Sequence, residues 1–171
     1  MGHNHHQSPY EAGEPKRSCS CGGGSVEDAR AMGCVFDILA SAWLPPWCRD
    51  SELTHEFNHA GPGADGEWTF YKDTDGNETM SLDEVGELGN HPGQPWFSTY
   101  EWHVLHCVYN WRKMFRARTL GTILEPYYDH EMHIIHCGEM FLYNSFPQAI
   151  ITGSGVTTTA DHVPYTKEHD N

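Results

Sequence analysis

The sequence predicts a mainly α protein: a compact helical domain around an antiparallel helix pair, with a small β-hairpin and disulfide-tied loops. Three observations lead there. Two segments, 98–119 and 126–143, carry helix start and stop signals, and the first has the strongest apolar periodicity in the chain. The stretch from Trp68 to Leu82 places two strand-like runs around Asp73-Thr74-Asp75-Gly76-Asn77, the pattern of a tight hairpin. Six cysteines, Cys19, Cys21, Cys34, Cys48, Cys107 and Cys137, allow three disulfides, and sequence leaves their connectivity open.

At 171 residues the chain fits one domain with flanking segments. A flexible arm is expected over 1–24, a single domain over 25–150 and a polar, loosely held tail over 151–171. The arm ends in SCSCGGGS and is pinned only where Cys19 or Cys21 is bridged. Ser25 with Asp28 resembles a capping box and opens a short helix that Gly33 ends. Val35 to Trp47 is apolar but contains Pro45-Pro46, so it reads as a core-covering loop. Asp50 or Ser51 caps a two-turn helix through Leu53 and Phe57, stopped by Gly61-Pro62.

After the hairpin, Ser81 with Glu84 offers another capping box, for a helix ending near Gly89, and His91-Pro92-Gly93-Gln94-Pro95 is a linker. Ser98 with Glu101 caps the long helix. Its Val104, Val108, Trp111 and Phe115, at i, i+4, i+7 and i+11, form one apolar stripe. Arg112, Lys113, Arg116 and Arg118 crowd its C-terminal end, where the helix dipole favours cations. A second helix starts between Pro126 and Asp129 and runs to about Tyr143.

Ten Lys and Arg against 24 Asp and Glu give a formal charge of −14, which repels nucleic acid and anionic lipid. No run approaches the roughly 18 apolar residues that span a bilayer, and the first residues lack a signal peptide's apolar stretch, so a soluble chain is expected. Asn77-Glu78-Thr79 is an N-glycosylation acceptor triplet. With the even cysteine count it points to the secretory lumen or a secreted protein, the competitor being a reduced, cytosolic zinc protein. Of 13 histidines, His3, His5 and His6 fit an appended tag or unstructured tail.

The chemistry resides in His-x-x-His-Cys, present as HVLHC at 103–107 and HIIHC at 133–137. At 100° per residue the two histidines and the cysteine share an arc of about 100°, so each helix presents one ligand face. Two imidazoles one turn apart form a chelate for Zn or Cu, and two such helices supply four: His103, His106, His133 and His136. A turn centred near Ile123 leaves a register mismatch of four residues, about 6 Å, small enough for the motifs to meet or neighbour. His130 continues the second row as a weaker, fifth candidate. Cys107 and Cys137 read as disulfide partners, of each other or of the N-terminal cysteines, in preference to thiolate ligands. Asp73, Asp75, Asn77 and Glu84 have the glycine at the wrong position for a calcium loop. Trp96, Phe97, Trp102, Trp111, Tyr127 and Tyr128 suit a substrate pocket or simple core packing.

The paired motifs, with GCVFDILASAWLPPWCRDSEL upstream and HCVYNWRKMFRA after the first copy, resemble the UstYa-like family of fungal natural-product biosynthesis. The resemblance covers most of 19–140. It implies copper- and O2-dependent oxidative tailoring of C–H bonds in a peptide or small metabolite: cyclisation, hydroxylation, desaturation or, with halide, halogenation. It makes the four motif histidines the ligands of one or two copper ions. Family members usually carry an N-terminal membrane helix, which has no counterpart in this sequence. Two coppers want more than four imidazoles, so His130, a second subunit or solvent would complete them. The alternatives are a structural zinc-binding interaction module without turnover and a metal storage or delivery protein.

Overall fold

Short polar side chains set the helix starts. The computed structural model describes residues 17–163, so His3, His5 and His6 lie outside the described residues. Ser25 accepts from the Asp28 amide and opens α1 (Val26–Ala31). Asp50 accepts from the Leu53 amide and opens α2 (Ser51–Asn58). Ser81 and Glu84 form the reciprocal capping box of α3 (Leu82–Glu87). The long helix α4 (Tyr100–Leu120) is capped by Thr99, not Ser98, and Gly121 ends it in a left-handed conformation at φ 71°. The second motif helix, α5 (Glu131–Tyr143), is capped by His130.

The mainly α expectation is overturned: the fold is mixed α/β, with two antiparallel sheets. Val35–Asp37 (β1) pairs with Ala42–Leu44 (β2) inside the stretch that reads as a loop. The second sheet has the order β4-β3-β5-β6, from Phe70–Tyr71 (β3), Thr79–Met80 (β4), Trp96–Thr99 (β5) and Ile150–Ser154 (β6). The expected hairpin is β3 and β4, and Asp73 Oδ1 accepts from the Gly76 amide in its turn. The other strands escape sequence reading because runs of three to five residues are too short to establish a period of two.

Residues 150–163 knit the molecule together. After β6, the Thr157 carbonyl accepts from the Trp43 amide, the Thr158 carbonyl from Cys21 and the Ala160 carbonyl from Tyr127. Val156, Thr158 and Ala160 are buried in alternation. The N-terminal segment is bridged twice, Cys19 to Cys48 and Cys21 to Cys34.

The core is aromatic. Trp102 meets Trp96 edge-on at 5.0 Å and Phe57 at 5.6 Å, and Tyr109 packs on Phe57 at 5.2 Å. The buried face of α4 is therefore Trp102, His106, Tyr109 and Lys113, again at i, i+4, i+7 and i+11 but on the side away from the stripe read from sequence. Phe115 of that stripe is 68% exposed, and Trp111 stacks on Phe141 of α5. Hydropathy points to the opposite side of α4 because the core side includes His106, Asn110 and Lys113, residues it assigns to solvent. The arginines of α4 clamp α2: Arg112 grips Glu56 at 2.6 and 2.8 Å, and Arg116 holds Asp50 and Glu52. Lys113 turns inward to Glu125 at 2.5 Å.

Candidate metal centre

The two motifs meet across the contact of α4 with α5, in reversed order. His103 Nε2 stands 3.0 Å from His136 Nε2, and the His106 and His133 rings face each other with centroids 5.7 Å apart. The direction is fixed further along, where the Tyr100 hydroxyl donates to the Met140 carbonyl at 2.8 Å. Behind the histidines, Cys107 is bonded to Cys137. Of the alternatives open in the sequence, the motif cysteines thus pair with each other, which removes both thiols from the set of donors. The first turn of α4 is held by the chain entering β6: the Tyr100 amide donates to the Ala149 carbonyl at 2.8 Å and the Glu101 amide to Pro147 at 3.0 Å. With Thr99 Oγ1 accepting from Trp102, the first three helical amides are satisfied.

His106 and His133 are buried, His103 is half-buried and His136 is exposed. Burial holds His103 and His133 down at about 4, with neighbouring imidazoles adding to the effect for both. Burial drives His106 well below its usual range. These three rings are neutral at physiological pH, the form in which imidazole binds metal. His133 Nδ1 lies 3.2 Å from the Tyr128 carbonyl, which only accepts, so Nδ1 carries the proton and Nε2 the lone pair. His106 is stacked on Trp102 at 4.9 Å and flanked edge-on by Tyr128 at 5.1 Å. Asn110, one turn on, reaches the His106 carbonyl at 3.0 Å and the Leu39 carbonyl at 3.5 Å.

Two ring nitrogens about 2.0–2.1 Å from one ion stand roughly 2.9 Å apart at a right-angled bond and roughly 3.4 Å apart at a tetrahedral one. The His103–His136 separation of 3.0 Å falls in that span. The pair therefore fits as a two-imidazole chelate. His106 and His133 flank it at centroid distances of 6.1 Å from His103 and 6.4 Å from His136 respectively. Among the described residues, no three His, Cys, Asp or Glu side chains converge as a ready site. His130 spends both ring nitrogens on structure, Nδ1 accepting from the His133 amide and Nε2 lying 3.2 Å from the Tyr127 carbonyl.

Other residues singled out from sequence lie elsewhere. Asn77 is exposed in the β3–β4 turn. Trp96 belongs to the core, as does Trp102, which also stacks on His106. Tyr128, read from sequence only as an aromatic that suits a pocket or core packing, supports His133 through its carbonyl, and reading for motifs passes over Asn110 and Thr152. His106 followed four residues later by Asn110 carries a helical i,i+4 signal, whereas Thr152 carries none.

Two proteins of Diaporthe leptostromiformis, phomopsin biosynthesis cluster proteins B and B′, are each 29% identical to this chain over 117 residues. The match covers 67% of this chain and 34% of each of theirs, so the chain spans about a third of the length of the curated relatives it matches. Both are fungal secondary-metabolite cluster proteins. No family model and no solved structure matches the chain. Among the described residues no helix is long and apolar enough to cross a membrane, and the three disulfides are consistent with a secreted or lumenal protein.

Proposed function

We propose that this chain is a copper-dependent, O2-using oxidative tailoring enzyme of fungal secondary metabolism, acting on C–H bonds of a peptide or small metabolite. The observation that carries the reading is the opposition of His103 Nε2 and His136 Nε2 at 3.0 Å, on two copies of one motif locked together by Cys107–Cys137. The tailoring context is supported by the similarity to phomopsin biosynthesis cluster proteins. Copper bound there would supply one-electron redox chemistry and O2 activation. His103 and His136 would hold it, with His106 and His133 as the neighbouring imidazoles. His136 is exposed, so a substrate reaches this edge of the pair without passing through the core. Trp102 and Tyr128 wall off the inner side around His106. The disulfide keeps thiols from competing for the metal.

Copper and zinc titrations of wild type, His103→Ala and His136→Ala test this, with metal content, electron paramagnetic resonance and copper-dependent O2 consumption as readouts. One or two coppers retained by wild type and lost in both variants is the expected result. Tight zinc binding with no copper-dependent O2 consumption would overturn the enzyme reading and leave a structural zinc module.

A further inference from the structure

A metal-binding imidazole must present the lone pair of one nitrogen, and the partner of the other nitrogen decides which one that is. For His103 that partner comes from outside both motifs. Thr152 Oγ1, on β6, lies 3.2 Å from His103 Nδ1 and donates to the Thr99 carbonyl at 3.3 Å. A hydroxyl has one hydrogen, and a carbonyl can only accept. The Thr152 hydrogen is thus committed to Thr99, and toward His103 its oxygen can act only as acceptor. Nδ1 of His103 then carries the ring proton, and Nε2 is left with its lone pair directed at His136.

The backbone builds this contact. Thr152 is 4% exposed, so its hydroxyl is shielded from bulk water. β6 pairs Thr152 with Ser98 and Ile150 with Thr99, so Ile151 is the extra residue of a bulge. Bulges re-aim the side chain beside them and are common next to functional sites. Here the bulge lies where β5 passes into α4, one helical turn before His103. The Ala149 and Pro147 carbonyls fasten the same segment to the first amides of α4.

We propose that Thr152 is a positioning residue that fixes His103 in the Nδ1–H tautomer and turns its Nε2 lone pair toward the face shared with His136. The role in metal binding rests on the function proposed above, whereas the tautomer is a property of the protein alone. Without metal, the assignment requires His136 Nε2 to donate its proton to His103 Nε2. On metal capture the proton between the two Nε2 atoms moves to Nδ1 of His136, so both imidazoles stay neutral and each presents an Nε2 lone pair.

The experiment uses the full chain, 15N-labelled, in wild-type, Thr152→Val and Thr152→Ser forms. Long-range 1H–15N correlation of the metal-free protein at neutral pH reads the tautomer, and copper and zinc titrations read affinity. Wild type and Thr152→Ser are expected to hold His103 as Nδ1–H. Thr152→Val, which keeps shape and strand preference, is expected to populate the Nε2–H form and to bind metal about 10- to 100-fold more weakly. An Nε2–H form of His103 in wild type, or a tautomer and affinity unchanged by Thr152→Val, overturns the proposal. If Thr152→Val fails to fold, the wild-type and Thr152→Ser tautomers decide it alone. Wild type that holds Nδ1–H but takes up no metal overturns the metal function and leaves the positioning role standing.

Discussion

Cys107 is bonded to Cys137, and in each helix the bridged cysteine directly follows the second histidine of its motif. The disulfide therefore ties the two ligand rows together beside their second histidines. Its sequence separation of 30 gives a chain-entropy contribution of about 3 to 4 kcal/mol. The double variant Cys107→Ala with Cys137→Ala is expected to lose stability on that scale in denaturant titrations and to bind copper more weakly. A loss of under about 1 kcal/mol would show that packing alone holds α4 and α5 together.

Lys113 and Glu125 make a second internal tie, with side chains only 3% and 2% exposed. Burial raises the Glu125 carboxyl above its usual range, and the nearby Lys113 opposes this. The pair anchors the connection that carries Tyr128, whose carbonyl orients His133. Removing one partner strands a buried charge, so Lys113→Met alone is expected to cost about 3–5 kcal/mol. Lys113→Met combined with Glu125→Leu is expected to recover most of it, within about 1 kcal/mol of wild type. Thermal unfolding of the three proteins checks this, and a double variant no better than the single would sink it.

How far the sequence could be read depended on whether each feature was local. Ser25, Asp50 and Ser81 act on amides three residues away, so the helices they open were legible. The His-x-x-His-Cys faces were legible for the same reason, since helical periodicity alone aligns His103 with His106 and His133 with His136. The register between them was not. His103 opposes His136 because β6 and the Cys107–Cys137 bridge set the contact, and neither is encoded by a repeat. The roles of Thr152 and Tyr128 are invisible to motif reading because they exist only after residues about 49 and 5 positions away are brought beside them. β5 and β6 were missed because each is too short to show alternation, and their inward residues Ser98 and Thr152 are polar.

The misread face of α4 yields a direct comparison. Trp102 is 2% exposed in the aromatic core, whereas Phe115 of the sequence-derived stripe is 68% exposed. Trp102→Ala is expected to cost about 3–5 kcal/mol. Phe115→Ala is expected to stay within about 0.5 kcal/mol of wild type. Urea midpoints of the two variants decide which face is interior, and a costly Phe115→Ala would reverse the assignment.

Glu56 gives the acid side of the stability profile a defined shape. Arg112 donates to both its oxygens and Tyr109 adds a third hydrogen bond, which together outweigh burial and hold the carboxyl at about 2, against a usual 4.5. A depressed carboxyl stabilises the fold above its unfolded-state value and loses that contribution as pH falls toward the folded one. The Glu56 contribution is thus complete above about pH 4.5 and fades between there and about pH 2. Both side chains are more than a third exposed, so solvent screening limits it to about 0.2–1 kcal/mol. Wild type is expected to exceed Glu56→Gln in stability at pH 6 and to converge with it as pH approaches 2.5. Added salt should shrink the difference at pH 6, because the pair is exposed enough for ions to screen it. Denaturant titrations of both proteins across this range make the test, and a gap that widens toward low pH would mean that Arg112 does not hold the Glu56 carboxyl below its usual range.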